Sequence, residues 1–358
     1  MNTMVPALRI VAALVLITTA SAALQSPPDS ARRPVARVAP PPAVEPALEV
    51  SGYLQAFYKT RRDATGDAST EPSVFRLQRV RLQFKGAVNR HVSYEIEVDP
   101  RSPEVAGLLR DAFVSLDYVP RHELRIGQQK TLFGYENPTS SSRLYTVNRA
   151  EISEGIGRGA NLRDIGVSLL GSVPVSARWR FEDAISVVNG SGMNVQADST
   201  PRKNVWSRVG ARYRHGEFTM RVGVSAGVGD QIEPPSAPGL TDGFKVDFTR
   251  VGADVQIDHP RLWMVAEFAT ADDRGPSSQP DVGGRSRGFS VLVVPRTRWR
   301  SGPIIRYDTF DEFRRWTVGV HLGRPSDDVS VLFNYESLED DLGKHDDKLY
   351  LRLQVRLK

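Results

Sequence analysis

The C-terminal stretch KLYLRLQVRLK, residues 348–358, decides the fold. Leu349, Leu351, Leu353, Val355 and Leu357 alternate with Tyr350, Arg352, Gln354, Arg356 and Lys358. Period two sends successive side chains to opposite faces of a strand, whereas a helix needs apolar residues every three or four positions. The segment therefore predicts a β-strand with one apolar face and one cationic face.

The same alternation recurs upstream. Val80, Leu82, Phe84 and Val88 oppose Arg79, Arg81, Gln83 and Lys85; Tyr94, Ile96 and Val98 oppose Glu95, Glu97 and Asp99. Val209, Ala211 and Tyr213 oppose Arg208, Arg212 and Arg214, and Met220, Val222 and Val224 oppose Thr219, Arg221 and Ser225. Strands near 290 and 304 are less regular. Counting such segments predicts about sixteen strands between 48 and 357. Their connections alternate in length. Most odd ones are long (60–73, 100–109, 131–162, 190–204, 230–244, 272–285, 338–346), with 310–313 the exception. The even ones are tight and polar, as at Asn89-Arg90, Pro120-Arg121, His215-Gly216 and His259-Pro260.

Tight turns at one end and long loops at the other are the plan of an all-β, transmembrane antiparallel barrel in an outer membrane. An even strand number returns both chain ends to the periplasm. Tyr58, Tyr118, Trp179, Tyr213, Trp263, Trp316 and Tyr335 fall near strand ends and are expected in the interfacial girdles. A soluble sandwich would show neither the loop alternation nor so charged a second face, and no repeat of propeller period is present.

The chain of 358 residues has no Cys, which excludes a disulfide scaffold. Residues 1–22 read as a signal peptide, with Arg9, an apolar run from Ile10 to Ala20 and the cleavage pattern Ala20-Ser21-Ala22. That run is too short to span a bilayer. Residues 23–47 are proline-rich and are expected to form an extended periplasmic linker, with the barrel at 48–358. The net charge of +5, which includes Arg9, is too mild to imply nucleic-acid binding, and no basic helix or zinc-ligand pattern supports it.

One connection stands apart. Between the alternating segments 123–130 and 163–171 lie some thirty residues that fit neither strand nor helix. A loop of that length in a compact domain is ordinarily functional. This one and its flanks carry Lys130, Arg143, Arg149, Arg158 and Arg163.

Here the sequence resembles the phosphate-selective porin O/P family. The likeness rests on Gly127-Gln128-Gln129-Lys130-Thr131, Phe133-Gly134, Glu136, Thr139-Ser140-Ser141 and Arg163-Asp164-Ile165-Gly166-Val167. It continues through Asn189-Gly190-Ser191-Gly192, Arg208, Glu267, Arg306-Tyr307-Asp308, Asn334-Tyr335 and Arg352-Leu353-Gln354, with Arg79-Val80-Arg81 and Gly86 upstream. It covers roughly 50–358. Gln129 and Leu132 replace an aromatic and a proline usual in the family, and the chain ends in Leu357-Lys358 where such barrels usually end in an aromatic. The resemblance implies a sixteen-stranded porin, often a homotrimer, whose third extracellular loop folds inward. The loop 131–162 is the third long connection.

Anion selection needs positive charge in a narrow, partly desolvated passage. The guanidinium fork suits phosphate oxygens, while lysine acts as a point charge. The candidate pore residues are Lys130, Arg143, Arg149, Arg158 and Arg163 on the loop, and Arg79, Arg81, Lys85, Arg125, Arg208, Arg212 and Arg221 on the wall. Small anions such as phosphate, and outer-membrane lipids, are the expected partners. Arg79 and Arg81 share their face with Glu95, Glu97 and Asp99; pairing Arg81 with Glu97 and Arg79 with Asp99 would make them structural. The loop is then the first place to seek selectivity. A non-specific porin, a closed envelope-anchoring barrel and an outer-membrane hydrolase are the rival readings. For the last, the six His lie at turns or away from any Ser or acid at suggestive spacing, so no catalytic residue is assigned. No cofactor is expected, and the acidic loop residues Glu339, Asp340, Asp341, Asp346 and Asp347 are expected to be solvated rather than metal-binding.

Overall fold

A computed structural model describes residues 48–63, 73–102, 105–156, 162–195, 202–233, 244–275, 283–339, 343 and 345–357. The expected signal peptide at 1–22, the linker at 23–47 and Arg158 lie outside the described residues. Sixteen strands close into one antiparallel barrel, each hydrogen-bonded to its sequence neighbours and the first to the last. They are β1 (Leu48–Asp63), β2 (Val74–Asn89), β3 (Val92–Val98), β4 (Leu109–Leu116), β5 (His122–Lys130), β6 (Arg163–Pro174), β7 (Trp179–Val188) and β8 (Asn204–His215). The second half comprises β9 (Phe218–Glu233), β10 (Phe244–His259), β11 (Leu262–Arg274), β12 (Gly283–Pro295), β13 (Ser301–Phe310), β14 (Phe313–Leu322), β15 (Val329–Glu339) and β16 (His345–Leu357).

Burial is inverted relative to a water-soluble protein, in which charged side chains are seldom fully buried. On β16, Leu349, Leu351, Leu353 and Leu357 are exposed on the outside, while Arg352 and Gln354 are 1% and 0% exposed on the inside. Phe333 of β15 and Val318, Val320 and Leu322 of β14 continue the exposed apolar band. Such a surface is compatible with hydrocarbon, and closure removes the free strand edges that hydrocarbon would penalise.

Three features depart from the sequence pattern. The β2–β3 register pairs Gln83 with Glu97 and Lys85 with Glu95, with a bulge between Ala87 and Asn89. In this register Arg81 keeps the expected contact with Glu97, at 2.9 Å, and also reaches Asp99 at 3.4 Å. Arg79 instead donates to Gln55 Oε1 at 3.0 Å. Trp263 does not join a girdle: it faces inward and is buried against Tyr145 at a ring separation of 4.8 Å. The third feature is an apolar core inside the barrel. Leu292, Val294, Ile304 and Leu332 point into the lumen and are fully buried with Trp263, Val265, Tyr145 and Val147. A second cluster joins Phe133, Ile152, Ile156 and Leu162 to Trp206, Phe248 and Ala269. Both faces of β12 and of part of β13 are therefore apolar, which is why their alternation fades.

The inverted pattern makes a test. Leu351→Arg places a cation midway along the lipid face of β16. Equilibrium unfolding from vesicles should show a loss of about 2–4 kcal/mol. A loss below about 1 kcal/mol would mean that this face does not meet hydrocarbon.

Candidate functional site

The third long connection leaves β5 at Lys130, and its described stretch 131–156 folds into the lumen. An irregular backbone at membrane depth persists only if every polar group finds a partner. The wall supplies these partners by polarity, with acids and amides facing the loop N–H groups and arginines facing its carbonyls.

Near its start, Gly134 N donates to Ser225 Oγ at 3.0 Å, and the N–H groups of Tyr135 and Glu136 donate to the two oxygens of Glu267 at 3.2 and 3.1 Å. Gly134 has φ +66°, and a Cβ there would lie 1.8 Å from Glu267 Oε1, so both conformation and space require glycine. Further along, Val147 N donates to Asn334 Oδ1 at 2.8 Å, Asn148 Nδ2 to Glu336 at 2.9 Å and Glu151 N to Asp308 at 2.9 Å. In the opposite sense, Arg352 donates to the carbonyls of Leu144 and Thr146 at 3.2 and 3.3 Å. Arg306 reaches Asn148 O at 2.9 Å, Gln354 reaches Ser142 O at 3.1 Å and Gln55 reaches Ser141 O at 3.3 Å.

Two of the wall arginines are held in turn by acids. Arg306 lies 2.8 Å from Asp308, and Arg315 contacts Asp308 at 3.1 Å and Glu151 at 2.5 Å. Within the loop, Arg149 donates to the carbonyls of Glu136 and Thr139, and Glu136 accepts from Ala150 N at 2.7 Å. Burial raises the Tyr135 phenol to about 12, so it stays neutral throughout the ordinary pH range.

These contacts engage β1, β9, β11 and β13 to β16, with β10 adding Arg250 to Ile156 O at 3.3 Å. The other side of the lumen remains hollow. A cavity of about 210 Å³ lies between Pro138, Ser140 and Ser141 of the loop and the walls of β2–β6. A second, of about 610 Å³, follows along β5–β9 towards the tight turns, where Leu132 and Pro138 of the loop also line it.

The sequence-derived candidates fall into distinct groups. Arg81, Arg125, Lys130 and Arg163 line the first cavity, and Arg208 and Arg221 the second. Arg163 is held by Asp111 at 2.7 Å and Glu97 at 3.3 Å, and Arg125 by Glu123 at 2.7 Å. Lys85 lies 3.3 Å from Glu95, Arg212 lies 3.6 Å from Glu182, and Arg208 forms a two-point pair with Asp254. Lys130 donates to the carbonyls of Pro138 and Thr139 at 3.3 and 3.2 Å. Arg149 is buried within the loop, and Arg143 is exposed with no side-chain bond among the described residues. Lys130 and Arg149 thus hold the loop, Arg163 pairs with wall acids, and Arg125, Arg208 and Arg221 border the cavities.

The fasteners Glu267, Arg306, Asp308, Asn334 and Arg352 lie in stretches of the family resemblance that sequence reasoning left without a role. A similar link joins two further stretches. Asp164 Oδ2 accepts the N–H groups of Gly190 at 2.9 Å and Gly192 at 3.3 Å, where both glycines have positive φ.

A closed sixteen-stranded barrel with a lipid-compatible exterior and a lumen narrowed by an inward loop is an outer-membrane porin. The model of the family described as phosphate-selective porin O and P matches residues 48–273, and the chain belongs to that family. Solved structures carry the same fold. The anion-selective porin from Comamonas acidovorans is 13% identical with a TM-score of 0.60, over 87% of this chain and 100% of that one. The outer-membrane channel DcaP of Acinetobacter baumannii is 13% identical with a TM-score of 0.58, over 87% and 97%. Salmonella typhi OmpF, in a complex with daunomycin, is 14% identical with a TM-score of 0.58, over 88% and 100%. Comparison with curated protein sequences gives no match. The protein is thus a channel of the bacterial outer membrane, and its family and fold are those of a channel rather than an enzyme.

The fastening scheme is testable at Arg352, which makes two hydrogen bonds to loop carbonyls and has no carboxylate partner among the described residues. Arg352→Ala should cost about 2–4 kcal/mol, since each bond from a charged donor contributes roughly 1.5–3. It should also raise single-channel conductance as the loop loosens. Unchanged conductance and unchanged stability together would remove Arg352 from the fastening role.

Proposed function

We propose that this porin conducts small anions by passive diffusion, phosphate among them. One observation carries the reading. Each carboxylate bordering the first cavity is taken up by a cation: Glu95 by Lys85, Glu97 by Arg81 and Arg163, and Asp111 by Arg163. Lys130, on the same cavity, makes its hydrogen bonds to neutral carbonyls. Arg149 and Arg352 behind it likewise bond only to neutral oxygens, and Arg221 bonds to no described residue. The lining of the first cavity therefore carries positive charge in excess of its acids. Low-dielectric walls focus that field on any passing ion. The family description and the anion-selective Comamonas porin support the same direction.

A homotrimer completes this reading. Strands β3 and β4 have 7 and 8 residues, against the roughly 9–11 that a tilted strand needs to span the apolar layer. A neighbouring protomer would cover the low wall. Residues 1–22 serve as the signal peptide, and 23–47 as a periplasmic linker before β1.

The reversal potential in a potassium chloride gradient tests the selectivity. Anions should permeate more readily than potassium, and added phosphate should reduce the chloride current. Arg125→Gln combined with Lys85→Gln leaves the loop fasteners intact. It should lower the anion-to-cation permeability ratio by about threefold, through loss of cations facing the passage. A cation-selective wild-type pore would refute the anion reading and leave the porin fold untouched.

A further inference from the structure

The outer face of the barrel carries a feature that permeation does not use. Alternation along β7 sends Ala184 and Ser186 into the lumen, where both are buried, and leaves Val187 exposed outside. Asp183 shares the outer face with Val187, Ile185 and Phe181, and its register partners are Gly171 on β6 and Val209 on β8. A carboxylate thus lies on the lipid-facing surface, well inside the strand.

The wall is shaped to hold it. A Cβ at Gly171 would fall 2.2 Å from Asp183 Oδ1, so glycine leaves the space in which the carboxylate rests. Asp183 Oδ1 is buried and has no hydrogen-bond partner among the described residues. The basic side chain nearest Oδ2 among the described residues is His122, whose Nε2 lies 4.0 Å away on the same outer face and beyond hydrogen-bonding distance. His122 Nδ1 lies 3.2 Å from Pro120 O, and a carbonyl can only accept, so Nδ1 carries a proton. Arg121, the neighbouring turn residue, is exposed, and its side chain makes no bond among the described residues. Trp179, at the periplasmic start of β7, is exposed and packs 4.9 Å from Tyr213, marking the membrane interface close by.

We propose that this notch binds the headgroup of a phospholipid bearing a primary ammonium, in the periplasmic leaflet. An acceptor-only carboxylate on a lipid face is costly until donors reach it. A primary ammonium brings three donors and the opposite charge. The adjoining phosphate then faces His122 and Arg121, and the acyl chains lie along Leu124, Val173 and Phe181 on the outer face of β5–β7. Phosphatidylcholine has the same phosphate and the same formal charge, but its quaternary ammonium cannot donate a hydrogen bond. It is therefore the discriminating control.

Native mass spectrometry of the full chain in detergent, with an equimolar mixture of phosphatidylethanolamine and phosphatidylcholine of identical acyl chains, tests the site. The wild type should retain the ethanolamine lipid about tenfold better, the effect of one charge-assisted hydrogen bond. D183N should bring the two to parity while keeping wild-type β-sheet content and conductance. Parity in the wild type, or a preference that survives in D183N, would overturn the proposal. So would a magnesium ion or a second protein copy lost in D183N with no lipid preference in the wild type. Should D183N not fold, successive N-methylation of the headgroup decides: retention by the wild type must fall with each methyl, and a flat series refutes the site.

Discussion

The structure depends on satisfying the backbone of 131–156 within a barrel that crosses a membrane. A strand pairs with its neighbours, but a segment that is neither strand nor helix leaves its N–H and C=O groups to be met one at a time. An unmet buried group costs about 1–3 kcal/mol, so a handful of failures would exceed the stability of an ordinary domain. The wall therefore has to present donors and acceptors in a fixed order. Glu267, Asp308 and Asn334 meet N–H groups, and Arg352, Arg306, Gln354 and Gln55 meet carbonyls. The same wall supplies the dry patches that Tyr145, Val147, Ile152 and Ile156 cover.

This requirement explains the amount of arginine that is wholly buried. Arg306 and Arg352 are 0% and 1% exposed, a poor arrangement for attracting ions directly but a good one for holding carbonyls. The guanidinium offers several donors in a rigid plane and stays charged, so one side chain can meet a loop carbonyl and a wall acid together, as Arg306 does with Asn148 O and Asp308. Removing one partner from such a network leaves a buried charge uncompensated, so the pairs hold position more than they add stability.

The barrel itself was legible from the sequence. Period two in stretches such as 348–358, and the alternation of tight turns with long loops, follow directly from strand geometry and from the two unlike sides of an outer membrane. The inward loop was legible through its length and its place as the third long connection. Less legible was the division of labour among cations. Sequence shows that Arg149 and Arg163 are cationic, but not that one turns onto Glu136 O and Thr139 O while the other meets Asp111. Nor does propensity mark the bulge between Ala87 and Asn89 at the end of the β2–β3 pairing. One overlooked signal was present: the weak alternation near 290 and 304. In a water-filled barrel a strand apolar on both faces is out of place, unless something dry covers its inner side. Leu292, Val294 and Ile304 record where the loop docks.

The fastening network and the field in the passage are one charge distribution. Acids that meet arginines cancel locally, so Arg306 with Asp308 adds little potential at a distance. A cation bonded only to carbonyls is solvated by dipoles and has no acid beside it to cancel its charge. Lys130, Arg149 and Arg352 are of this kind, and they sit along the loop from its root to the far wall. The backbone of the loop thus replaces water around these cations without neutralising them. A loop fastened by acids alone would leave the passage negative; one fastened by closed ion pairs would leave it neutral. The mixture found here holds the constriction in place and leaves a positive remainder beside the open side of the lumen.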